Sequence, residues 1–306
     1  MYMSSLLASI NPIHHILDKP VSGMEHIMVF GKPAITIHMV SLVLAAIVTF
    51  TILKIAANRI AVGDDAQGTD RYLTKGRISQ IIEVITLHLR DSVIRPVLGN
   101  ETERFLPYLL SLFFFILSCN LLGMIPFADI QAVIGMTTSI GDPEWVLFGG
   151  TATSNLAVTA GLAIISFFVI QIHAFKSLGV GGWTKHLTGG APLYLLPLML
   201  PLEFMGMFIK PTALAIRLFA NMVGGHTMLA VLTMFGMMAF QATSSWMITG
   251  TIEVVSVIAA VAISFLELFV AFLQAFIFML LTAVFIAQMS HHGEEHEEQA
   301  LEPATH

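Results

Sequence analysis

The sequence predicts an all-α membrane protein with five or so membrane passes, one amphipathic helix and a C-terminal hairpin of two long tilted helices. The first reason is composition: of 306 residues, 56% are hydrophobic and 11% are charged, and the mean hydropathy is +0.83. A soluble domain carries about 25% charged residues. The second reason is a series of apolar runs long enough to cross a hydrocarbon core of about 30 Å, which takes about 20 residues.

The first third of the chain contains one predicted span, then a polar stretch, then an amphipathic helix. The span is Ile35 to Leu53, and Lys54 and Arg59 follow it. Between residues 78 and 93, apolar side chains recur at helical spacing opposite charged ones, which indicates a helix on the membrane surface or against the bundle. Its apolar positions are Ile78, Ile82, Ile85, Leu89 and Val93, and its charged positions are Glu83, Arg90 and Asp91.

Four further apolar runs complete the predicted bundle. Two of them, Phe105 to Pro126 and about Asn155 to Ile172, have the length of single spans. The last two, 192–240 and 246–289, are too long to cross upright, because residues 192–225 alone would reach roughly 50 Å as one helix. Helices that overshoot the bilayer tilt, kink or break. We therefore expect these two runs to form a strongly tilted hairpin.

The remaining segments and the loop charges predict a domain layout and an orientation. Residues 1–34 are predicted to be an N-terminal extramembrane arm, 35–290 the membrane helical domain, and 291–306 a disordered acidic tail. Most Lys and Arg residues lie between the first and second spans, which places that loop inside the cell. The N-terminus is then outside and the C-terminus is cytoplasmic. The Lys and Arg residues between the first and second spans are Lys54, Arg59, Arg71, Lys75, Arg77, Arg90, Arg95 and Arg104.

Polar and ionisable side chains interrupt the two long apolar runs. A charge at mid-bilayer costs at least about 2.5–3.5 kcal/mol, so each of them needs a physical reason. Glu203, Lys210 and Arg217 are seven residues apart and share one helical face. Two stripes of small and polar residues result, and we expect both to face a partner helix that slides past them. They are Ala213, Arg217, Ala220 and Gly224 on the first helix, and Glu253, Ala260, Ser264, Glu267, Ala271 and Gln274 on the second.

The residues alone leave two interpretations open. In one, Arg217 is neutralised by Glu203 or Glu267 in a static ion pair. In the other, the polar residues form an ion path, for which intramembrane ionisable residues are candidates by default. Arginine does not lose its proton in proteins, so Arg217 can supply a fixed positive charge but cannot relay a proton. Glutamate and histidine side chains can titrate and are candidates for the relay.

Three segments of the chain resemble subunit a of F-type ATP synthases. They read FLPYLLSLFFFILSCNLLGMIP (105–126), IKPTALAIRLFANMVGGH (209–226) and FLQAFIFMLLTAVFI (272–286). The resemblance extends over residues 105–290, and the Arg-Leu-Phe-x-Asn-Met and Gln-Ala-Phe-Ile-Phe segments are highly specific. One element departs from the family pattern. Where many members have Asp-Leu-Asn or Asp-Ile-Asn at the start of the third span, this chain reads TATSNLAVT (151–159).

The resemblance implies a function and a role for each polar position. It implies the proton-translocating stator subunit of a rotary ATP synthase, which provides two half-channels to and from the carboxylates of a ring of c subunits. Arg217 would face the ring carboxylate as the central working residue, with Gln274 opposite it. The implied half-channel positions are Glu203, Asn221, His226, Glu267, Gln274 and Asn120. The implied partners are the c-subunit ring, the b-subunit stator stalk, the rest of the F1Fo complex and the lipid bilayer of a bacterial inner membrane.

Other classes of function agree less well with the sequence. A stand-alone secondary transporter or ion channel is the main alternative, although the sequence has no pair of repeated halves. An enzyme that acts alone is not expected, because Ser244 and Ser245 lack a Gly-x-Ser-x-Gly context. No cofactor, metal site or nucleic-acid partner is expected: Cys119 is the one cysteine, and the sequence contains no basic cluster.

Overall fold

The computed structural model describes residues 28–29, 32–33, 36–60, 74, 76–125, 152–187, 195–243 and 246–301. Strands β1 (Met28–Val29) and β2 (Lys32–Pro33) pair antiparallel near the N-terminus. The other regular elements of the described chain are helical, as the sequence predicts. Residues 1–27, 30–31 and 34 of the predicted arm and residues 126–151 lie outside the described residues.

Five helical segments in the described chain are long and apolar enough to cross a membrane. They are Ile37–Arg59, Arg77–Met124, Leu156–Gly179, Pro197–Leu229 and Trp246–Met289. The prediction of five passes is confirmed, and the protein is an all-α, multi-pass membrane protein. The first segment is helix α1 (Ile37–Arg59), on which Val43, Ile47 and Phe50 are exposed. Exposed aliphatic and aromatic side chains are what a lipid-facing helix requires.

The second segment is compound, and its amphipathic part differs from the prediction in one respect. It consists of α2 (Arg77–His88), a π-helical turn (Leu89–Ile94), α3 (Arg95–Leu98), a 3-10 turn (Gly99–Glu101) and α4 (Thr102–Met124). On the predicted apolar face Leu89 is buried, but the next buried residue is Ile94 instead of Val93. A π-helical turn contains one residue more than an α-helical turn, so the buried position advances by one. Ile78, at the start of the predicted apolar face, is exposed.

Helix α5 (Leu156–Leu187) contains the third span. Asn155 caps it, because the Ala157 N–H donates to Asn155 Oδ1 at 2.9 Å. The helix is kinked at Gly179, whose φ of 66° is readily adopted by a residue that lacks a Cβ. The membrane-length part of α5 therefore ends at Gly179, beyond the predicted Ile172.

The last two apolar runs form the predicted pair of long helices, α6 (Leu196–Thr243) and α7 (Trp246–Leu301). They contain 48 and 56 residues, so they are about 72 and 84 Å long, well beyond a core of about 30 Å. Helix α7 includes residues 291–301, which were predicted to belong to a disordered tail. For this part of the tail the prediction of disorder is corrected. The residues continue an existing helix, and Glu, Gln and Ala have high helix propensity.

The chain divides into two compact units. The Arg217 unit consists of Met1–Val48, Phe115–Thr159 and Ile216–Gln274, and the Glu203 unit consists of Thr49–Phe114, Ala160–Ala215 and Ala275–His306. In the Arg217 unit, Ile116, Leu218 and Met222 are fully buried. In the Glu203 unit, Phe113 and Phe278 are fully buried. Each unit therefore has an apolar core of its own.

Candidate functional site

The face of α6 that carries Arg217 is exposed. Leu218 and Met222, on the other side of the helix, are at 0% exposure. An exposed row of small residues around an arginine is typical of a surface that another helix approaches closely. The exposed row is the first predicted stripe, Ala213, Arg217, Ala220 and Gly224, and we name it the α6 stripe.

The guanidinium of Arg217 has no carboxylate partner among the described residues. The ion pairs among the described residues lie elsewhere. They join Arg90 to Asp91 and Arg104 to Glu101, with N–O distances of 2.8 and 3.1 Å. The first of the two open interpretations placed Arg217 in a static ion pair with a glutamate of this chain. That interpretation is wrong for the residues that the structure describes.

One helical turn after Arg217, the side chain of Asn221 contacts α7. Its Nδ2 donates a hydrogen bond to Gln274 Oε1 at 3.0 Å. Gln274 is 2% exposed, so the bond is shielded. The Nε2 of Gln274 is also buried and has no acceptor among the described residues. This shielded amide pair fixes α6 and α7 relative to each other where Asn221 meets Gln274. The Nε2 group of Gln274 remains able to donate to a further acceptor.

The second predicted stripe, on α7, is not exposed like the first. Ala271 is fully buried and Gln274 nearly so, whereas Ala260 and Ser264 are half-buried and Glu253 is exposed. The prediction that this whole stripe faces a sliding partner is wrong for its C-terminal half. Small residues permit close helix approach with any neighbour, and here the neighbours are helices of the same chain.

Glu267 of α7 packs against a glycine of α6. Its side chain is buried, and a Cβ placed on Gly225 would lie 2.7 Å from Oε1 and 2.9 Å from Cδ. Position 225 therefore accepts only a residue without a Cβ while Glu267 keeps this position. His226, the predicted relay partner of Glu267, follows Gly225 in α6, and its side chain lies outside the described residues.

Asn120 of α4 joins two other segments of the Arg217 unit. Its Nδ2 donates to the Ala271 carbonyl at 3.2 Å, and its Oδ1 accepts from Thr153 Oγ1 at 3.0 Å. Asn120, Thr153 and Ala271 are each at 0% exposure. Both ends of the Asn120 carboxamide are thus bonded inside the protein, as buried polar groups require.

The Glu203 unit contains a small groove of about 40 Å³ between α5, α6 and α7. Lys210 lines it, and its Nζ lies 5.0 Å from the centroid of the Phe285 ring, within the range of a cation–π contact. Glu203 lines the same groove on the same helix. The other polar residues of the wall are Ser166, Gln171, Thr282 and Gln288.

A family model described as ATP synthase A chain matches residues 34–287. The chain belongs to this family. It is 36% identical over 299 residues to ATP synthase subunit a 2 of Chlorobaculum tepidum, covering 95% of this chain and 75% of that relative. It is 38% identical over 271 residues to ATP synthase subunit a of Myxococcus xanthus, covering 86% and 76%. It is 41% identical over 220 residues to ATP synthase subunit a of Anaeromyxobacter dehalogenans, covering 70% and 50%.

Membership in this family confirms the resemblance that the sequence motifs indicated. The matched region begins at residue 34, well before the first of the three motifs. The prediction of a subunit of an ATP synthase, as opposed to an enzyme that acts alone, is confirmed as well. The fine assignment of roles to individual residues stays a prediction.

Sequence reasoning did not single out three residues that the structure places at these sites. Thr153 lies in the segment that departs from the family pattern, and that departure was the available signal. Gly225 is one of two adjacent glycines in the second motif, and the sequence does not say which of them contacts a neighbour. Gln171 interrupts an apolar run, a signal of the same kind that identified Glu203 and Asn221.

Proposed function

We propose that this chain is the proton-translocating stator subunit of a rotary F-type ATP synthase. Arg217 faces the carboxylates of a ring of c subunits. The observation that supports this most strongly is that Arg217 is exposed on an apolar helix of membrane length and has no carboxylate partner in the described part of the chain.

An arginine in this position needs a partner beyond the described residues of the chain. Facing lipid at mid-bilayer would cost at least about 2.5–3.5 kcal/mol. A carboxylate on a neighbouring helix removes that cost, and the small residues of the α6 stripe let such a helix approach. Arginine suits the task because its guanidinium stays charged when buried, whereas a lysine ammonium can lose its proton.

The outer half-channel is assigned to the Arg217 unit. Glu267 and His226 are its titratable groups and receive protons from the outer side. Asn221 and Gln274 are bonded to each other one turn from Arg217. The Gln274 Nε2, which lacks an acceptor among the described residues, can donate to a water molecule of the half-channel.

The inner half-channel is assigned to the Glu203 unit. Glu203 lines the groove together with hydroxyl and amide side chains that can hold water. Lys210, held over Phe285, adds a positive charge to the groove wall.

These parts combine into a directional cycle. A proton that enters through the outer half-channel neutralises a ring carboxylate, which can then face lipid, and the ring turns. When a carboxylate returns to Arg217, the fixed positive charge favours its ionised form, and the proton leaves through the inner half-channel. One charge crossing 100 mV delivers about 2.3 kcal/mol. Several protons must therefore cross for each ATP.

The proposed assembly and location follow from this function. The partners are the c-subunit ring, the b-subunit stator stalk and the rest of the F1Fo complex. The location is a bacterial inner membrane, with the N-terminus outside and the C-terminus cytoplasmic. The support for this orientation is the concentration of Lys and Arg between the first two spans.

The experiment that tests the function is replacement of Arg217. Arg217→Ala is expected to abolish ATP synthesis driven by a proton gradient in inverted membrane vesicles, with the complex still assembled. Arg217→Lys is expected to restore only part of the activity. The matched control is Arg90→Ala, which removes an exposed arginine that pairs with its neighbour Asp91, and it should retain near-normal synthesis. Near-normal synthesis in the Arg217→Ala vesicles would end the proposal.

A further inference from the structure

Asn120 is hydrogen-bonded at both ends of its carboxamide inside the protein. Its carboxamide is at 0% exposure, its Nδ2 donates to the Ala271 carbonyl, and its Oδ1 accepts from Thr153. We infer that Asn120 is a positioning residue: together with Thr153 it holds α7 at Ala271 and so sets the distance between α7 and the Arg217 face of α6. The inference rests on the proposed function for its effect on ATP synthesis, but the geometry can be tested alone.

The bond to Ala271 adds to the normal bonding of α7. In an α-helix the carbonyl of residue 271 accepts from the N–H of residue 275, and a carbonyl oxygen has a second lone pair. Asn120 uses that second lone pair. The bond therefore contributes nothing to forming the helix and acts only between α4 and α7.

The point of attachment lies between the two functional side chains of α7. Ala271 is one turn after Glu267 and one turn before Gln274, on the same face of the helix. Glu267 packs on Gly225, and Gln274 accepts from Asn221, so both contacts join α7 to α6. A shift of α7 at Ala271 would alter both contacts at once.

The surroundings of Ala271 explain why a polar bond is needed to fix this position. Neighbouring side chains of α7, including Leu268 and Phe269, are exposed. At the point of attachment α7 presents only the methyl group of Ala271, and small side chains permit close approach but specify register weakly. Between membrane helices, hydrogen bonds supply the missing specificity. Thr153 in turn orients the carboxamide, because its hydroxyl donates to Oδ1 and leaves Nδ2 to face Ala271.

The first variant separates positioning from proton conduction at Asn120 itself. An aspartate at this position can accept from Thr153. Burial favours its protonated form, which can still donate to the Ala271 carbonyl, whereas the ionised carboxylate cannot. Synthesis by Asn120→Asp is therefore measured over a range of pH. If Asn120 served as a channel residue, Asn120→Asp would conduct protons at least as well as the native chain at every pH, because a carboxylate titrates. If Asn120 positions α7, Asn120→Asp loses synthesis relative to the native chain as the pH rises and the carboxylate ionises.

The second set of variants acts on Asn120 through Thr153. Thr153→Val keeps the shape and removes the hydroxyl, whereas Thr153→Ser keeps the hydroxyl and serves as the matched control. Thr153→Val is expected to lower synthesis about threefold or more, which corresponds to the roughly 0.6 kcal/mol of an average interhelical hydrogen bond in a membrane. Thr153→Ser should stay close to the native rate. The double variant of Thr153→Val with Asn120→Asp should be no worse than Asn120→Asp alone.

The geometric readout is a disulfide between α6 and α7. A Cβ on Gly225 would lie 3.3 Å from Glu267 Cγ, and bonded cysteines have Cβ atoms about 3.5–4.5 Å apart. Gly225→Cys with Glu267→Cys in a Cys119→Ala background is therefore expected to cross-link in the assembled complex. Adding Thr153→Val or Asn120→Asp should lower the rate of cross-linking, and adding Thr153→Ser should not.

The outcomes distinguish this inference from the proposed function. Unchanged cross-linking in the Thr153→Val and Asn120→Asp complexes overturns the positioning role, as does native synthesis by Asn120→Asp at every pH. Loss of the assembled complex in Thr153→Val also overturns it, because the bond would then serve folding instead of placement. None of these results depends on Arg217. Normal synthesis by Arg217→Ala, in contrast, would end the proposed function and leave the cross-linking result intact.

Discussion

Helices α6 and α7 carry similar stripes of small and polar residues, but the two stripes have different surroundings. On α6, the residues around Arg217 are exposed, and the opposite face supplies the buried contacts. On α7, the exposed side chains are large and apolar, including Phe265 and Phe269, and the polar residues Glu267 and Gln274 are buried. The charged group of one helix faces outward, and the polar groups of the other face inward.

This difference shows what the amino-acid composition of a membrane helix predicts about its contacts and what it does not. Small residues mark a surface where another helix comes close, but they do not say whether that helix belongs to the same chain. The C-terminal half of the α7 stripe contacts α4 and α6, through the bonds of Asn120 and Asn221. The α6 stripe has no such contacts among the described residues of this chain, which makes it the candidate for a surface that faces a separate subunit.

The largest effect that can test the comparison is expected at Gly225, on the side of α6 that packs against α7. Gly225→Ala would place a Cβ 2.7 Å from Glu267 Oε1, whereas a Cβ on Gly161 of α5 would meet nothing within 4 Å. Overpacking of this kind costs about 1–3 kcal/mol, or roughly a 5- to 150-fold change in an equilibrium. Gly225→Ala should therefore lose most proton-driven synthesis in vesicles, and the matched control Gly161→Ala should lose little. Equal losses would show that the packing of Gly225 on Glu267 does not account for the effect.

A moderate effect is expected at the amide pair that joins the helices. Asn221→Leu and Gln274→Leu each remove one end of the 3.0 Å bond. Because each variant leaves the other partner without its bond, the double variant should be no more impaired than the worse single one. Rates of ATP synthesis from the two singles and the double form a mutant cycle. Fully additive losses would mean that the two residues act separately and that the contact between α6 and α7 here is incidental.

The smallest effect is expected at Ser264, in the half-buried part of the α7 stripe. Its hydroxyl donates to the Ala260 carbonyl of its own helix at 2.9 Å, so no neighbouring helix depends on it. Ser264→Ala removes this local bond and should leave synthesis within about twofold of native, because such back-bonding contributes little to a helix. A severe loss would place Ser264 in the proton path and extend the functional part of α7 toward its N-terminal end.

Much of the fold could be predicted because the bilayer constrains it. The five spans follow from the apolar runs, and the excess length of α6 and α7 is visible as residue counts. The shift of the buried position from Val93 to Ile94 could not be predicted, since a π-helical turn depends on packing that one sequence does not reveal. The helical residues 291–301 were mistaken for a disordered tail because a strongly charged composition was taken as disorder, although it can extend an existing helix.

The candidate site was predicted in its residues more than in its geometry. Arg217, Asn221, Glu267 and Gln274 stand out because polar groups are costly in an apolar run. Which neighbour each one meets is a long-range property: Asn120 and Ala271 are 151 residues apart in the chain. The role of Gly225 also depends on a distant carboxylate, so it could not be separated from Gly224 by local reasoning.

The central claim is that the face of α6 around Arg217, and not the stripe of α7, meets the rotating ring. The most direct test is cross-linking to a cysteine on the outer helix of the c subunit, in a Cys119→Ala background. The two matched positions are alanines: Ala220 is exposed on α6, and Ala271 is buried on α7. A disulfide requires Cα atoms within about 7 Å. Ala220→Cys is predicted to cross-link to the c subunit and block ATP-driven proton pumping, whereas Ala271→Cys should do neither. Equal cross-linking at both positions, or cross-linking at Ala271 alone, would contradict the claim that the α6 face meets the ring.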